Sequence, residues 1–217
     1  MPPDASTDVL RSSTIADHIR ATKLIAVLRR IEPQSRLLEL AEALAGDGIR
    51  TFEVTFDGPT APEDLRAVRQ LLDETGPADA IVGAGTIRSI DALDTAREAG
   101  AAFAVSPGLD VDVVRRSIAH GLPCIPGAYT PTEVDAAWRA GATFVKLFPA
   151  SSLGPTHVRE LRGPFPEIET IATGGVDATN ARGFLDAGCV AVGIGGALVR
   201  ATPAERRALV AEVSGQP

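Results

Sequence analysis

Ala-Gly recurs at Ala99-Gly100, Ala140-Gly141 and Ala187-Gly188, and each time it closes a helical pattern and opens a short apolar run. The punctuation belongs to a rhythm that fills the chain. Apolar runs at 24–28, 51–56, 80–83, 102–105, 123–125, around Lys146, at 169–172 and at 190–194 read as strands. Stretches with helical spacing follow each of them. The first starts at Pro33 and carries Leu37, Leu38, Leu40, Ala41 and Leu44; the others lie at 64–72, 91–99, 111–119, 132–140, 156–161, 178–187 and 203–213. Eight strands, each followed by a helix, predict an α/β chain closed into a (β/α)8 barrel of the TIM type. An open doubly wound sheet would need a glycine fingerprint in the first strand–helix turn, and Arg29-Arg30-Ile31-Glu32 is not one. A short helix around Ile15 and Ile19 precedes the first strand, behind a loose polar tail over 1–13.

At 217 residues the chain suits a single domain over 1–217, near the lower end of the size range of such barrels. Apolar residues make up 45% of it, yet no run approaches the ~20 needed to span a bilayer, so no membrane partner is expected. The first 13 residues are polar and hold no signal-peptide core, which predicts a cytoplasmic protein. Cys124 and Cys189 are far apart and flanked by apolar residues, as suits two buried thiols. The net charge of −7, without a basic stripe, argues against a nucleic-acid partner.

Lys146 stands out in Phe144-Val145-Lys146-Leu147-Phe148. Strand alternation puts it on one face with Phe144 and Phe148, an amine between two rings. Among 21 basic residues only Lys23 and Lys146 are lysines; all others are arginine. Arginine stays protonated, whereas a desolvated lysine can present the neutral amine that condenses with a ketone. A strand-end lysine reaching back to solvent is the plainer alternative. Glu53 is the second unusual residue, a carboxylate on the strand face opposite Phe52 and Val54. Inside a barrel with Lys146 it suits a general acid–base, or else an ion pair with Arg29 or Lys146.

Barrels of this kind carry their chemistry at the carboxyl ends of the strands. Arg29, Thr55, Thr86, Pro107, Gly127, Lys146 and Phe148 fall there. Thr173-Gly174-Gly175 and Gly195-Gly196 follow strands seven and eight, where glycine-rich loops commonly bind phosphate. His18, His120 and His157 occur singly, and no cluster of metal ligands is visible.

Seven ordered motifs complete the reading. Ile25-Ala26-Val27-Leu28-Arg29, Phe52-Glu53-Val54-Thr55, Val82-Gly83-Ala84-Gly85-Thr86, Val105-Ser106-Pro107-Gly108, Ile125-Pro126-Gly127, Val145-Lys146-Leu147-Phe148-Pro149-Ala150 and Thr173-Gly174-Gly175-Val176 resemble the 2-dehydro-3-deoxy-phosphogluconate and 4-hydroxy-2-oxoglutarate aldolases. The resemblance implies a class I aldolase, a carbon–carbon lyase that yields pyruvate and an aldehyde through a Schiff base on Lys146, with Glu53 moving protons. It implies that Arg29 and Thr86 hold the substrate's charged and carboxylate ends, that Pro107 and Phe148 wall the pocket, and that Thr173, Gly174, Gly175, Gly195 and Gly196 surround the substrate and its phosphate. It further implies no cofactor, no metal, small keto-acid and aldehyde partners, a homotrimer, and a place in carbohydrate metabolism such as the Entner–Doudoroff pathway. Asp57 and Ala197 depart from the pattern, standing where some members carry arginine and serine. Thr173 resembles the gluconate-type members more than the galactonate-type ones, which often have valine. A galactonate-type aldolase and a phosphosugar isomerase or epimerase barrel are the alternatives.

Overall fold

Every strand pairs in parallel with its neighbours, in the order β5-β4-β3-β2-β1-β9-β8-β7-β6. The computed structural model describes residues 5–215, with side chains from residue 13 onward. Its strands are β1 (Leu24–Leu28), β2 (Thr51–Thr55), β3 (Ile81–Gly85), β4 (Ala104–Val105), β5 (Cys124–Ile125), β6 (Gly127–Ala128), β7 (Val145–Leu147), β8 (Thr170–Thr173) and β9 (Ala191–Ile194). The two ends of the order, β5 and β6, are separated only by Pro126, which has no N–H to give the ladder. Its carbonyl still accepts from Lys146 N at 2.9 Å, so the two pieces form one stave and the ring has eight.

The helices are α1 (Ala5–Thr22), α2 (Gln34–Gly46), α3 (Ala61–Thr75), α4 (Ile90–Glu98), α5 (Val111–Ala119), α6 (Pro131–Arg139), α7 (Ala150–Leu161), α8 (Ala181–Ala187), α9 (Gly196–Arg200) and α10 (Pro203–Ser214). Local chemistry sets several of their starts. Ser89 and Asp110 accept backbone N–H groups at the heads of α4 and α5, and Thr130 with Glu133 and Thr202 with Glu205 form capping boxes on α6 and α10.

Strand alternation divides the apolar residues into two cores. Ala26, Phe52, Val54, Ala84, Val145 and Leu147 face the helices. Ile25, Phe103, Val105, Ile125, Phe144 and Ile171 point inward and meet Ala16 and Ile19 of α1, which plugs the amino-terminal end of the barrel. Arg20 fastens the plug: its guanidinium forks onto Glu169 at 2.9 and 2.7 Å and lies 5.2 Å from the centre of the Phe144 ring. One end of the barrel is sealed with apolar and paired side chains, which leaves the carboxyl end for chemistry.

Some boundaries differ from the sequence pattern. The loose tail expected over 1–13 fails from Ala5 onward, where α1 already runs, because Ala16, Ile19 and Arg20 dock the helix on the barrel floor; residues 1–4 lie outside the described residues. The helix expected at 156–161 is the second half of α7, which breaks at Gly154 (φ 73°) just before Pro155. Helix α9 is too short to show a period and lies in a stretch read only as a glycine loop.

Gly83 owes its identity to space. A Cβ there would run into the Phe103 ring, the largest side chain of the neighbouring stave. Gly83→Ala should therefore destabilise the fold by about 1–3 kcal/mol, as overpacking does. The expected result is a lower urea midpoint at unchanged m-value, and an unchanged midpoint would mean that Phe103 has room to move.

Candidate active site

Lys146 sits in the middle of β7 with 3% of its surface exposed. Its Nζ lies 4.9 Å from the centre of the Phe148 ring. The expected sandwich between two rings is only half present: Phe144 lies a layer deeper, and the cation over its ring is Arg20. Among the described residues no carboxylate comes within ion-pair distance of Lys146. Burial is thus the largest influence on the amine. It holds the Lys146 pKa below the ordinary 10.5, the nearby charge of Glu53 works against it, and the Arg29 cation adds to it.

Glu53 occupies β2, on the opposite side of the ring, and is buried with Oε1 lacking any hydrogen-bond partner. A buried carboxylate oxygen without a donor is costly in a merely structural role. The direct ion pair with Arg29 or Lys146 weighed from the sequence does not form. The room for the carboxylate comes from Gly85 on β3, where a Cβ would strike Glu53 Oε1 and its neighbouring carbons. The sequence shows a Gly-Ala-Gly run there, but not which side chain needs the space.

A cavity of about 320 Å³ opens at the carboxyl end of β7, β8 and β9. It brings together Arg29, Lys146, Phe148 and Thr173 with the loops Gly174-Gly175 and Gly195-Gly196. Glu53, Thr86 and Pro107 are not on its wall. Glu53 stands within the barrel, close enough for its charge to act on Lys146. Thr86 reaches the cavity through Arg29, whose Nη2 donates to Thr86 Oγ1 at 3.4 Å. Its φ of 59° is rare for a β-branched residue and marks strain next to the site. Pro107 packs against Gly127 instead, its carbonyl lying where a Cβ on Gly127 would be.

Asp57 is an anchor for the arginines. It accepts from Thr55 Oγ1 at 2.7 Å, pairs with Arg30 Nε at 3.2 Å and lies 3.9 Å from Arg29 Nη1. At the other end of the cavity, Gly174 (φ 92°) and Gly175 (φ 75°) make a turn closed to other residues without strain. Their carbonyls accept from Ser151 N and Asn180 Nδ2, while the N–H groups of Gly174, Gly175, Gly195 and Gly196 have no acceptor among the described residues. Thr173 projects inward because Gly193 on β9 leaves its hydroxyl room. Arg200 and Asp177 also line the cavity. Nothing in the strand-end pattern singles them out, since both lie beyond the glycine loops.

The model of the family described as "Aldolase: KDPG and KHG aldolase" matches residues 15–212. The chain belongs to this aldolase family. It is therefore a carbon–carbon lyase with small-molecule substrates. The 2-dehydro-3-deoxy-phosphogluconate aldolase of Treponema pallidum is 38% identical over 77% of each chain. The 2-dehydro-3-deoxy-6-phosphogalactonate aldolase of Escherichia coli is 34% identical over 82% of this chain and 85% of its own. The crystal structure of the 2-keto-3-deoxy-6-phosphogluconate aldolase of Zymomonas mobilis with 3-phosphoglycerate superposes with a TM-score of 0.79 at 30% identity, covering 94% of this aldolase and 96% of that chain.

The aldolase should show the electrostatic cost of its buried amine in its stability. With the folded pKa of Lys146 below the unfolded 10.5, the favourable neutral state is complete above 10.5 and is lost as pH falls through the folded pKa. Lys146→Met removes that penalty. The variant's stability advantage over wild type should thus grow as pH falls from 10.5 and level off below the folded pKa, in urea melts run at a series of pH values. An advantage independent of pH would mean that burial does not act on the charge.

Proposed function

We propose that the chain is a class I aldolase that cleaves 2-dehydro-3-deoxy-6-phosphogluconate, and also 4-hydroxy-2-oxoglutarate, through a Schiff base on Lys146. The observation that carries the reading is a buried amine without an ion pair, in the same cavity as two glycine loops with unused N–H groups. In the proposed path Lys146 Nζ attacks the C2 carbonyl, and the carbinolamine loses water to give an iminium. Glu53 takes the proton of the C4 hydroxyl as the C3–C4 bond breaks; C4 leaves as the aldehyde, and the bonding pair enters the enamine conjugated with nitrogen. Glu53 then returns the proton to C3. Water hydrolyses the iminium, which frees pyruvate and the amine.

Arg29, steered by Thr86 and Asp57, suits the keto-acid carboxylate, and Phe148 walls the reacting carbons, whereas Pro107 stands off the cavity. Thr173 and the four loop glycines suit the remainder of the substrate and its phosphate, a role in keeping with the 3-phosphoglycerate that accompanies the Zymomonas mobilis enzyme in its crystal structure. No step calls for a metal or cofactor. The 34%-identical Escherichia coli relative supports the galactonate epimer as a second substrate, whereas Thr173 favours the gluconate epimer. The assembly we propose is a homotrimer. Ile90 and Ile118, on α4 and α5, and Tyr129, just before α6, are the large apolar residues exposed among those described, and these elements are consecutive around one side of the barrel.

Borohydride reduction with pyruvate should place an irreversible adduct on Lys146 in wild type and none in Lys146→Ala. An isomerase or epimerase would give no adduct, and an adduct on Lys23 would move the nucleophile elsewhere. Glu53→Gln keeps the size and removes the proton transfer. It should still trap pyruvate, yet lose on the order of 10² to 10⁴ in turnover and fail to exchange pyruvate methyl protons with deuterated solvent. Exchange at the wild-type rate in folded Glu53→Gln would take Glu53 out of the mechanism.

A further inference from the structure

Two cations line the cavity beside Lys146, and they differ in their surroundings. Arg29 is tied to Thr86 and lies 3.9 Å from Asp57. Arg200, at the end of α9, makes no side-chain hydrogen bond or ion pair with any described residue. Arg20, Arg116, Arg182, Arg206 and Arg207 are paired with carboxylates, whereas Arg200 shares its lack of a partner among the described residues with Arg36, Arg88, Arg97 and Arg115 and differs from those four in lining the cavity. Its guanidinium nevertheless has a defined place. A Cβ on Gly196 would meet Arg200 Nη1 at 3.0 Å, so the side chain folds back over the glycine four residues earlier. It stands at the mouth of the cavity, beside the unused N–H groups of the two glycine loops.

The residue next to Gly196 is Ala197, which also lines the cavity but offers no hydroxyl to a ligand. Asp177, the carboxylate on the same wall, is turned to its own loop: it accepts from Thr179 N at 2.8 Å and Thr179 Oγ1 at 2.6 Å, and it does not pair with Arg200. A dianion entering the mouth would find amide donors, one unpaired guanidinium and a carboxylate already held by other donors.

We infer that Arg200 is the residue with which this aldolase discriminates phosphorylated from unphosphorylated keto acids, its guanidinium giving the phosphate the charged hydrogen bonds that Ala197 cannot. The inference rests on the Schiff-base aldolase reading and adds a side-chain determinant to it. A fork of planar donors fits phosphate oxygens in pairs, which an amine on a flexible stem does not. The shortness of α9 and the absence of a Cβ on Gly196 let the fork lie close over that glycine, where a Cβ would require Nη1 to shift by a few tenths of an ångström.

The test compares wild type, Arg200→Gln and Arg200→Lys on 2-dehydro-3-deoxy-6-phosphogluconate and on 4-hydroxy-2-oxoglutarate. Loss of a charge-assisted hydrogen bond corresponds to about 10- to 100-fold. Arg200→Gln should lower kcat/KM on the phosphorylated substrate by about that factor, chiefly through KM, and by at least tenfold more than on the unphosphorylated one. Arg200→Lys should fall between. Calorimetric titration with inorganic phosphate reads the same site without turnover, and should show weaker binding to Arg200→Gln than to wild type. Equal losses on both substrates, or unchanged phosphate binding in Arg200→Gln, would overturn the inference and leave Arg200 as a solvated surface residue. Failure of the underlying aldolase reading looks different: wild type itself would then gain no pyruvate adduct under borohydride, whatever its phosphate affinity.

Discussion

The desolvation of one amine organises this molecule. Lys146 is inside a barrel whose floor is apolar and sealed, with Phe103 and Phe144 below it and α1 closing the end beneath them. The floor excludes water from one side of the amine, and Phe148 covers another. The nearest counter-charge, on Glu53, acts from across the ring without contact. A direct ion pair would have favoured the charged form of the amine. The separation leaves Lys146 without an ion pair and one Glu53 oxygen without a hydrogen-bond donor.

The glycines of β3 and β9 follow from the same arrangement. An eight-stave barrel has an interior wide enough for side chains to fill it, so large inward residues require small ones opposite. Gly83 yields to Phe103, Gly85 to Glu53, and Gly193 to Thr173. Bulk is thereby assigned stave by stave, and the space released at the carboxyl end becomes the cavity. Its two ends have different electrostatics. Near Arg29 the cation is steadied by Asp57 and Thr86, whereas the other end carries backbone donors, the unpaired Arg200 guanidinium and the Asp177 carboxylate, which Thr179 holds.

Much of this is legible in the sequence, for physical reasons that can be named. Period-2 runs broken by Ala-Gly exits encode the barrel, because strand alternation and helix termination are local properties. Lys146 and Glu53 are legible because a charge within an apolar strand contradicts the pattern around it. Relations between staves are not. That Phe144 belongs to the floor with Arg20, that Gly85 makes room for Glu53, and that Arg200 folds back onto Gly196 depend on which strands are neighbours and how far each reaches. The split stave at Pro126 and the early start of α1 are tertiary effects as well, one set by a missing N–H and the other by docking on the floor. Asp57 illustrates the limit: as a departure from a family motif it suggests a lost contact, while in three dimensions it is an anchor for two arginines.

The central claim is that burial without an ion pair shifts Lys146 toward the neutral amine. The chain has only two lysines, so an NMR titration of protein labelled at the lysine side chains gives two ε-resonances. The Lys146 resonance, assigned by its loss in Lys146→Met, should titrate below 10.5 and move lower still in Glu53→Gln, where the opposing charge is gone. Titration of the Lys146 resonance at or above 10.5 would contradict it.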